Sequence, residues 1–312
     1  MKWRAVGLAL GLVADRVFGD PGRHHPVAWF GTVASRVEEH TYADDVGAGG
    51  MHVAALLAPL AVGGAVVECA GRRWPWLRVV ATACTTWAVV GATSLAKEGC
   101  IMADALDADD LTRARERLGH LCGRDAAALD APELARATIE SMAENTADAA
   151  VASIFWGATL GVPGMLMHRA VNTLDAMIGH RNAHYERFGK VAARLDDVLD
   201  LLPARATGML LAGLAPAVGG DARRAWRVLR RDHAKHPSPN GGWCESAMAG
   251  ALGVQLGGRN IYYGGRVEER GLLGDGPRPD AHAVRRSTRL VSLATFVAGG
   301  IACAVLGARS AR

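Results

Sequence analysis

The sequence is poor in aromatic residues. Phe, Trp and Tyr make up 5% of its 312 residues, although half of the chain is hydrophobic. The apolar mass is therefore Ala, Val, Leu and Gly. That mixture suits closely packed membrane helices, whose backbones approach where side chains are small. No CxxC pair is present: Cys69, Cys84, Cys100, Cys122, Cys244 and Cys303 are scattered. Their spacing suggests neither a zinc site nor a disulfide framework, so they read as small buried residues. The net charge of +4 comes without a long basic run or a basic-aromatic alternation, which argues against nucleic acid as a partner. The chain has no GxxxxGK followed by Ser or Thr, and no GxGxxG opens a βαβ unit. A P-loop is thus absent, and nicotinamide and flavin folds are disfavoured. No convincing small-residue cleavage site follows the N-terminal MKWRAVGLALGLVADRVFGD, where Asp15 and Arg16 come directly after a short apolar core. The segment reads as a retained first membrane helix or a surface helix.

Long apolar stretches are what the chain does have, at 51–68, 77–96, 149–168, 205–219 and 290–308. A spanning helix needs roughly 20 predominantly apolar residues. The stretches at 77–96 and 290–308 meet that, and 51–68 does so with Pro59 inside it, which a bundle tolerates. The stretch at 149–168 carries Gly161, Pro163 and Gly164, and 205–219 is short. Each of these two spans, dips in and returns, or packs as a buried helix. The expected fold is all-α: a polytopic integral membrane helical bundle of about four to six membrane helices, forming one domain over 1–312. Polar helical connections at 15–50, 97–148, 169–204 and 220–289 are too long and too patterned to be linkers, and they are expected to form the site. Segment 104–118 reads as an exposed amphipathic helix with Arg113, Arg115, Glu116 and Arg117 on its wet side. Arg72, Arg73 and Arg78 mark the short 69–78 loop as cytoplasmic, whereas the more basic 220–289 connection is too long for that rule to apply well. If every apolar stretch crossed the bilayer, the polar motifs would divide between its two sides. Segment 149–168 is therefore expected to be re-entrant or buried among the connections.

The densest chemistry lies between Glu140 and Arg205. Glu140, Glu144 and Asp148 fall at i, i+4 and i+8, on one face of a helix, with Arg136 a turn earlier. Three acids in a row repel one another and become favourable beside a divalent cation or a cationic substrate. Magnesium would need one or two of them plus phosphate oxygens; a solvated stripe paired with Arg136 is the alternative. Asn145, beside them, offers a neutral ligand or a hydrogen bond. His168, Arg169, Asn172 and Asp175 follow the 149–168 segment, and Arg169 suits a bidentate carboxylate or phosphate clamp. Interfacial anchoring is the plainer use of such residues. Arg194, Asp196, Asp197 and Asp200 form a second charged turn, either an ion-paired helix end or a metal–phosphate site. His25, within a Gly- and Pro-rich turn, is a candidate base or a hydrogen-bonded loop residue. Lys235, His236 and Asn240 lie in the rigid turn KHPSPNGG, ahead of a helix starting near residues 243–246 whose N-terminus is suited to phosphate capture.

Read in order, these segments resemble the adenosylcobinamide-phosphate synthase family, the CobD/CbiB cobalamin-biosynthesis proteins. The resemblance is carried by GDPGRHHPVAWFG at 19–31, ESMAENTADA at 140–149 and HRAVNTLDAMIGHRN at 168–182. It continues with YERFGKVAARLDDVLDLLPAR at 185–205, KHPSPNGGWCESAMAGALGVQLGG at 235–258 and YGGRVEERGLLGDGPRPD at 263–280. His180 and Cys244 depart from the family pattern. The resemblance implies an integral enzyme of the cell membrane with its active site on the cytoplasmic side. It implies amide formation between aminopropanol, free or as its O-phosphate, and a propionate carboxylate of adenosylcobyric acid, with ATP and Mg2+ as cofactors. On this reading Glu140, Glu144, Asp148, Asp196 and Asp197 hold metal. His25, Arg169, Asp175, Arg194, Lys235 and His236 are catalytic, and Asn145, Asn172, Asn182 and Asn240 bind substrate. A complex with other cobalamin-pathway proteins and a homo-oligomer are compatible with it. The rival readings are a corrinoid transporter or a non-catalytic membrane scaffold. A CDP-alcohol phosphotransferase is a further rival, but the order of Asp175, Arg194 and Asp196 does not fit its motif.

Overall fold

A computed structural model describes residues 1–21, 25–180, 182–262 and 267–311. Along the chain run α1 (Lys2–Phe18), α2 (Pro26–Thr41), α3 (Val46–Arg73), α4 (Pro75–Val89), α5 (Ala92–Asp107), α6 (Leu111–Leu118) and α7 (Ala131–Thr146). They are followed by α8 (Ala152–Leu160), α9 (Val162–Ile178), α10 (Lys190–Leu199), α11 (Leu201–Leu214), α12 (Ala222–Asp232), α13 (Gly241–Leu252) and α14 (Ala281–Ala311). Among the described residues the only sheet is an antiparallel hairpin of β1 (Leu256–Ile261) and β2 (Val267–Leu273). Asp side chains start several helices by accepting a backbone N–H that the first turn leaves unpaired: Asp45 from Ala48, Asp110 from Arg113 and Asp130 from Glu133, each at 3.0 Å.

Among the described residues four helical stretches are long and apolar enough to cross a membrane: Val46–Arg73, Pro75–Asp107, Leu201–Val218 and Ala281–Ser310. The fold is thus an all-α polytopic membrane bundle. Segment 149–168 is not one of the four. A π-helical turn, Ala147–Val151, leads into α8, and the chain then breaks at Gly161, whose φ is +78°. That left-handed conformation is open to glycine and strained for other residues. At nine residues, α8 is roughly 14 Å long at 1.5 Å per residue, too short to span. Segment 104–118 also differs from expectation. It is two helices, parted at Asp109 (φ 54°) and restarted by Asp110. Of its expected wet residues, Arg115 donates to the Leu129 carbonyl at 3.0 Å and Arg117 pairs with Glu98, so neither is simply solvated.

Contacts divide the chain into two compact units: Met1–Gly91 with Asp148–Asp200 and Ala298–Arg312, and Ala92–Ala147 with Leu201–Val297. In the first unit α1 lies on α4, where a Cβ added at Gly7 would stand 2.6 Å from the Thr82 Cβ. Gly11 meets Thr86 in the same way one turn on. Small residues one turn apart allow such close helix pairing in lipid. Val6, Leu10, Val13 and Val17 remain exposed on α1. Val53, Leu56 and Leu57 of α3 pack with Val171, Leu174 and Ile178 of α9 around the buried Phe188.

In the second unit α13 is the central element. It is buried along its whole length except for partly covered Trp243, which is why its sequence is rich in Gly and Ala. It packs against α7, α11 and α12. Leu134, Met142, Leu211, Val228, Leu229 and Met248 fill the core between them. The β1–β2 hairpin adds buried Leu256 and Leu273 to that core.

Candidate active site

Helix α7 of the second unit is buried on nearly all faces, so its charged residues must be paired inside it. Arg136 donates from Nη1 to Glu140 Oε1 at 3.1 Å and to Asn260 Oδ1 at 2.8 Å, and from Nε to Glu133 Oε2 at 2.9 Å. Glu140 also pairs with Arg124 and accepts from the Gly257 N–H at 2.7 Å. Both Glu140 oxygens are thus committed to tying α7 to the hairpin and to Arg124. The alternative of a solvated stripe does not hold at Glu140, which is buried, and no oxygen of Glu140 is left for a metal.

One turn further along α7, Glu144 faces a different group. Its Oε1 lies 3.9 Å from His236 Nε2 and 3.9 Å from Arg270 Nη1. His236 Nε2 is 3.2 Å from Glu245 Oε1, in the second turn of α13, and Arg270 Nη1 on β2 donates to that same oxygen at 3.1 Å. Arg270 Nη2 donates to Tyr262 Oη at 2.9 Å, which fixes the plane of the guanidinium. Burial, then the neighbouring Glu245, pushes Glu144 up to about 7. Burial alone would also raise Glu245, but the adjacent His236, Arg270 and Arg124 outweigh it and hold that carboxyl down at about 2. Two carboxyls with separated affinities for protons are a usual basis for acid–base work near neutrality.

The donor atoms of Glu144, His236 and Glu245 lie within 4.8 Å of one another, close enough for a divalent cation to bridge. The imidazole is poorly suited to be a ligand as it stands. The Ser238 N–H points at Nδ1 from 3.0 Å, so the ring proton belongs on Nε2, facing Glu245, and no lone pair remains there for a metal. Burial lowers His236's affinity for protons, but the Glu245 and Glu144 carboxylates override it and raise the pKa, which again keeps Nε2 protonated. That leaves oxygen donors. Glu245 Oε2 is buried and has no hydrogen-bond partner among the described residues, and magnesium asks for one or two carboxylates with substrate phosphates completing its shell. The residues present therefore fit Mg2+ rather than an imidazole-bound transition metal.

The first unit holds a separate cluster. His25 starts α2, its Nδ1 accepting from the Val27 N–H at 3.1 Å, and its Nε2 lies 3.7 Å from Asp20 Oδ1. Arg169 on α9 is surrounded by protein, which lowers its pKa, while Asp20 and Asp148 oppose that. Its Nε has no hydrogen-bond partner among the described residues. His168 Nε2 and Asp200 Oδ1 form a buried pair at 2.8 Å. Asn172 Nδ2 donates to Asp196 Oδ1 at 3.3 Å. Burial, then Asp197, raises Asp175 to about 6, and burial, then Asp200 and Asp175, raises Asp196 to about 8. Acids gathered in this way are stable when they share protons or meet a cation.

Asp148 joins Asp20 and Arg169 in the first-unit cluster, and the other sequence candidates fall outside both groups. Asp148 lies in the π-helical turn and belongs to the first unit, while Glu140 and Glu144 belong to the second. Arg194 is exposed on α10. Lys235 Nζ is held 2.6 Å from Asp232 Oδ1, a buried carboxylate also bound by Arg231. Asn145 donates to the Ser141 carbonyl at 2.9 Å within its own helix. Asn182 Oδ1 closes a turn by accepting from the His184 and Tyr185 N–H groups. Asn240 directly precedes α13, which begins at Gly241, two residues before the expected start, and receives a long contact of 3.5 Å from Arg205. Ser238 Oγ accepts the N–H groups of Asn240 and Gly241, so part of that helix start is already occupied. Sequence reasoning passed over Arg124, Glu245, Arg270 and Tyr262. The one available signal was Glu245, a lone acid inside GGWCESAMAGAL. Residues 22–24, 181 and 263–266 of the quoted motifs lie outside the described residues.

Comparison with known proteins agrees with this reading of the motifs. The chain is similar to a cobalamin biosynthesis protein CobD of Mycobacterium tuberculosis, with 50% identity over 288 residues, covering 92% of this chain and 91% of the relative. It is also similar to proteins of that name from Chromobacterium violaceum (40% over 297 residues, 92% of each chain) and Geobacter metallireducens (40% over 286 residues, 90% of each chain). No solved structure matches it. The model of the CobD/Cbib protein family matches residues 8–291, and the chain belongs to that family of cobalamin biosynthesis.

Proposed function

We propose that the chain is an amide-forming ligase that joins 1-aminopropan-2-ol, or its O-phosphate, to a propionate carboxylate of adenosylcobyric acid at the expense of ATP. The observation that carries this reading is the group of Glu144, His236, Glu245 and Arg270, in which a carboxyl poised near neutrality stands beside fixed positive charge. A carboxylate is a poor acyl donor and must be activated. In the proposed sequence a propionate oxygen attacks the γ-phosphorus of ATP, the bond from that phosphorus to the bridging oxygen breaks, and ADP leaves. The substrate ammonium gives a proton to Glu144, and the free amine attacks the acyl carbon. The bond from carbon to the phosphate oxygen then breaks and inorganic phosphate departs. The balance is carboxylate, ammonium and ATP giving amide, ADP, phosphate and one proton.

Arg270, with Arg124 behind it, supplies fixed positive charge for the transferred phosphoryl group, and preorganised charge of this kind is often the largest contribution to catalysis. Glu245 orients both Arg270 and His236. Mg2+, when bound through Glu245, would screen the charge of the nucleotide phosphates. A Glu144 carboxyl at about 7 is near the optimum for a group that must both take up and release a proton at neutral pH. Because ATP is a cytoplasmic substrate, this reading puts the reaction on the cytoplasmic side of the cell membrane.

The test is synthesis by the purified full-length protein in liposomes with adenosylcobyric acid, ATP, Mg2+ and either amine, read by mass spectrometry. The expected product has the mass of adenosylcobinamide or its phosphate, appears from one amine in preference to the other, and is matched by one ADP per amide. Folded protein that forms no amide from either amine would overturn the ligase reading in favour of transport or scaffolding.

A further inference from the structure

Helix α12 carries more positive charge than its fold requires. Its sequence, ARRAWRVLRRD, has five arginines in eleven residues. Two are used internally. Arg224 donates from Nε to the Gly250 carbonyl at 2.9 Å, and Arg231 pairs with Asp232 and Asp275. The other three, Arg223, Arg227 and Arg230, fall at i, i+4 and i+7 and so share one face. All three are exposed. Among the described residues no hydrogen bond or ion pair engages their guanidinium groups, and the nearest acids along the helix, Asp221 and Asp232, are occupied in capping its start and in binding Arg231 and Lys235. Ala225, Val228 and Leu229 take the opposite face into the core.

The position of this stripe says what it meets. Three residues separate the candidate span Leu201–Val218 from α12, so the start of α12 lies within roughly 14 Å of it along the chain. The direction of α12 adds a second constraint. Ala204 and Gly208 of α11 meet Cys244 and Trp243 near the start of α13, and Gly220 meets Ala251 near its end, so α11 runs parallel to α13. Gly250 meets Ala225 and Val228, and Gly242 meets His233, so α12 runs antiparallel to both. The arginine face thus runs back along the apolar α11 rather than away from it. Unpaired guanidinium groups do not remain in hydrocarbon, yet they lie beside a helix apolar enough to enter it. The level at which both are satisfied is the headgroup layer.

We propose that Arg223, Arg227 and Arg230 form a binding site for the phosphates of anionic phospholipids, holding α11 and α12 at the membrane interface. The planar guanidinium is suited to bidentate phosphate contact, and a basic cluster directly beside a membrane helix draws anionic lipid. The site does not depend on the proposed ligase chemistry.

The test uses the full-length protein in nanodiscs of phosphatidylcholine with increasing phosphatidylglycerol, reading the lipids retained by native mass spectrometry after release. The wild type is expected to retain phosphatidylglycerol over phosphatidylcholine roughly tenfold or more, and the preference should weaken as salt screens it. The triple change Arg223→Gln, Arg227→Gln and Arg230→Gln removes only exposed, unengaged side chains and should abolish the preference. Replacing the same three by Lys should keep most of it. No preference in the wild type, or an undiminished one in the Gln variant, would overturn the proposal. So would full displacement of the lipid by millimolar inorganic phosphate, which would assign the stripe to a soluble phosphate ligand.

Discussion

At the scale of single residues, neighbouring acids on one helix do different work because their surroundings differ. Glu140 is saturated by Arg124, Arg136 and a backbone N–H, whereas Glu144, one turn away, is partly accessible and among the described residues has no arginine closer than 3.9 Å. Glu144→Gln is expected to lower amide synthesis by about 10²- to 10⁴-fold, the range of a lost proton-transfer group, with the thermal midpoint little changed. Synthesis at the wild-type rate would remove Glu144 from the chemistry. The acid cluster of α9 and α10 makes a prediction about stability. The Asp196 carboxyl titrates near 8 in the folded chain and near 3.9 when unfolded. Between those values the folded state binds the extra proton, so its contribution to stability is full at low pH and is lost as pH rises from about 4 to about 8. Thermal unfolding in detergent at pH 5 and pH 8 should show a smaller difference between the two for Asp196→Asn than for the wild type. An equal difference would show that Asp196 is ionised throughout.

At the scale of elements, close backbone approach sets the packing of the first unit. Gly7 and Gly11 let α1 rest on α4 against Thr82 and Thr86. Gly11→Val would force side-chain atoms into that contact, and overpacking of this kind costs about 1–3 kcal/mol. The expected result is a lower unfolding midpoint in detergent, with Gly213→Val, at a position with open space around it, as the control that does not fall. Equal midpoints for the two variants would mean that α1 does not depend on this contact. Elements also show where sequence reading succeeds. The long helices α3 and α14 were legible from hydropathy alone, since an unbroken apolar run longer than a bilayer has few alternatives. The break at Gly161 was marked by its Gly and Pro residues. The π-helical turn at 147–151 was not, because an extra residue in one helical turn leaves no compositional trace.

At the scale of the whole molecule, the division into two compact units and the four apolar helical stretches set the setting in which the site works. The chain should stay in the membrane fraction after washing at alkaline pH and leave it only with detergent. Release by the wash alone would contradict helices embedded in lipid. Order of residues, composition and the quoted motifs determined by themselves the helical class, the membrane setting, the family resemblance and two members of the polar cluster, Glu144 and His236. Those properties depend on local spacing and on total apolar content. The tertiary structure decided which of those residues meet. Arg124, Glu245 and Arg270 reach the cluster from a bridge, a buried helix and a hairpin far apart in sequence. Their charges act through distances of a few ångströms across buried surroundings, and no pattern along the chain encodes such distances.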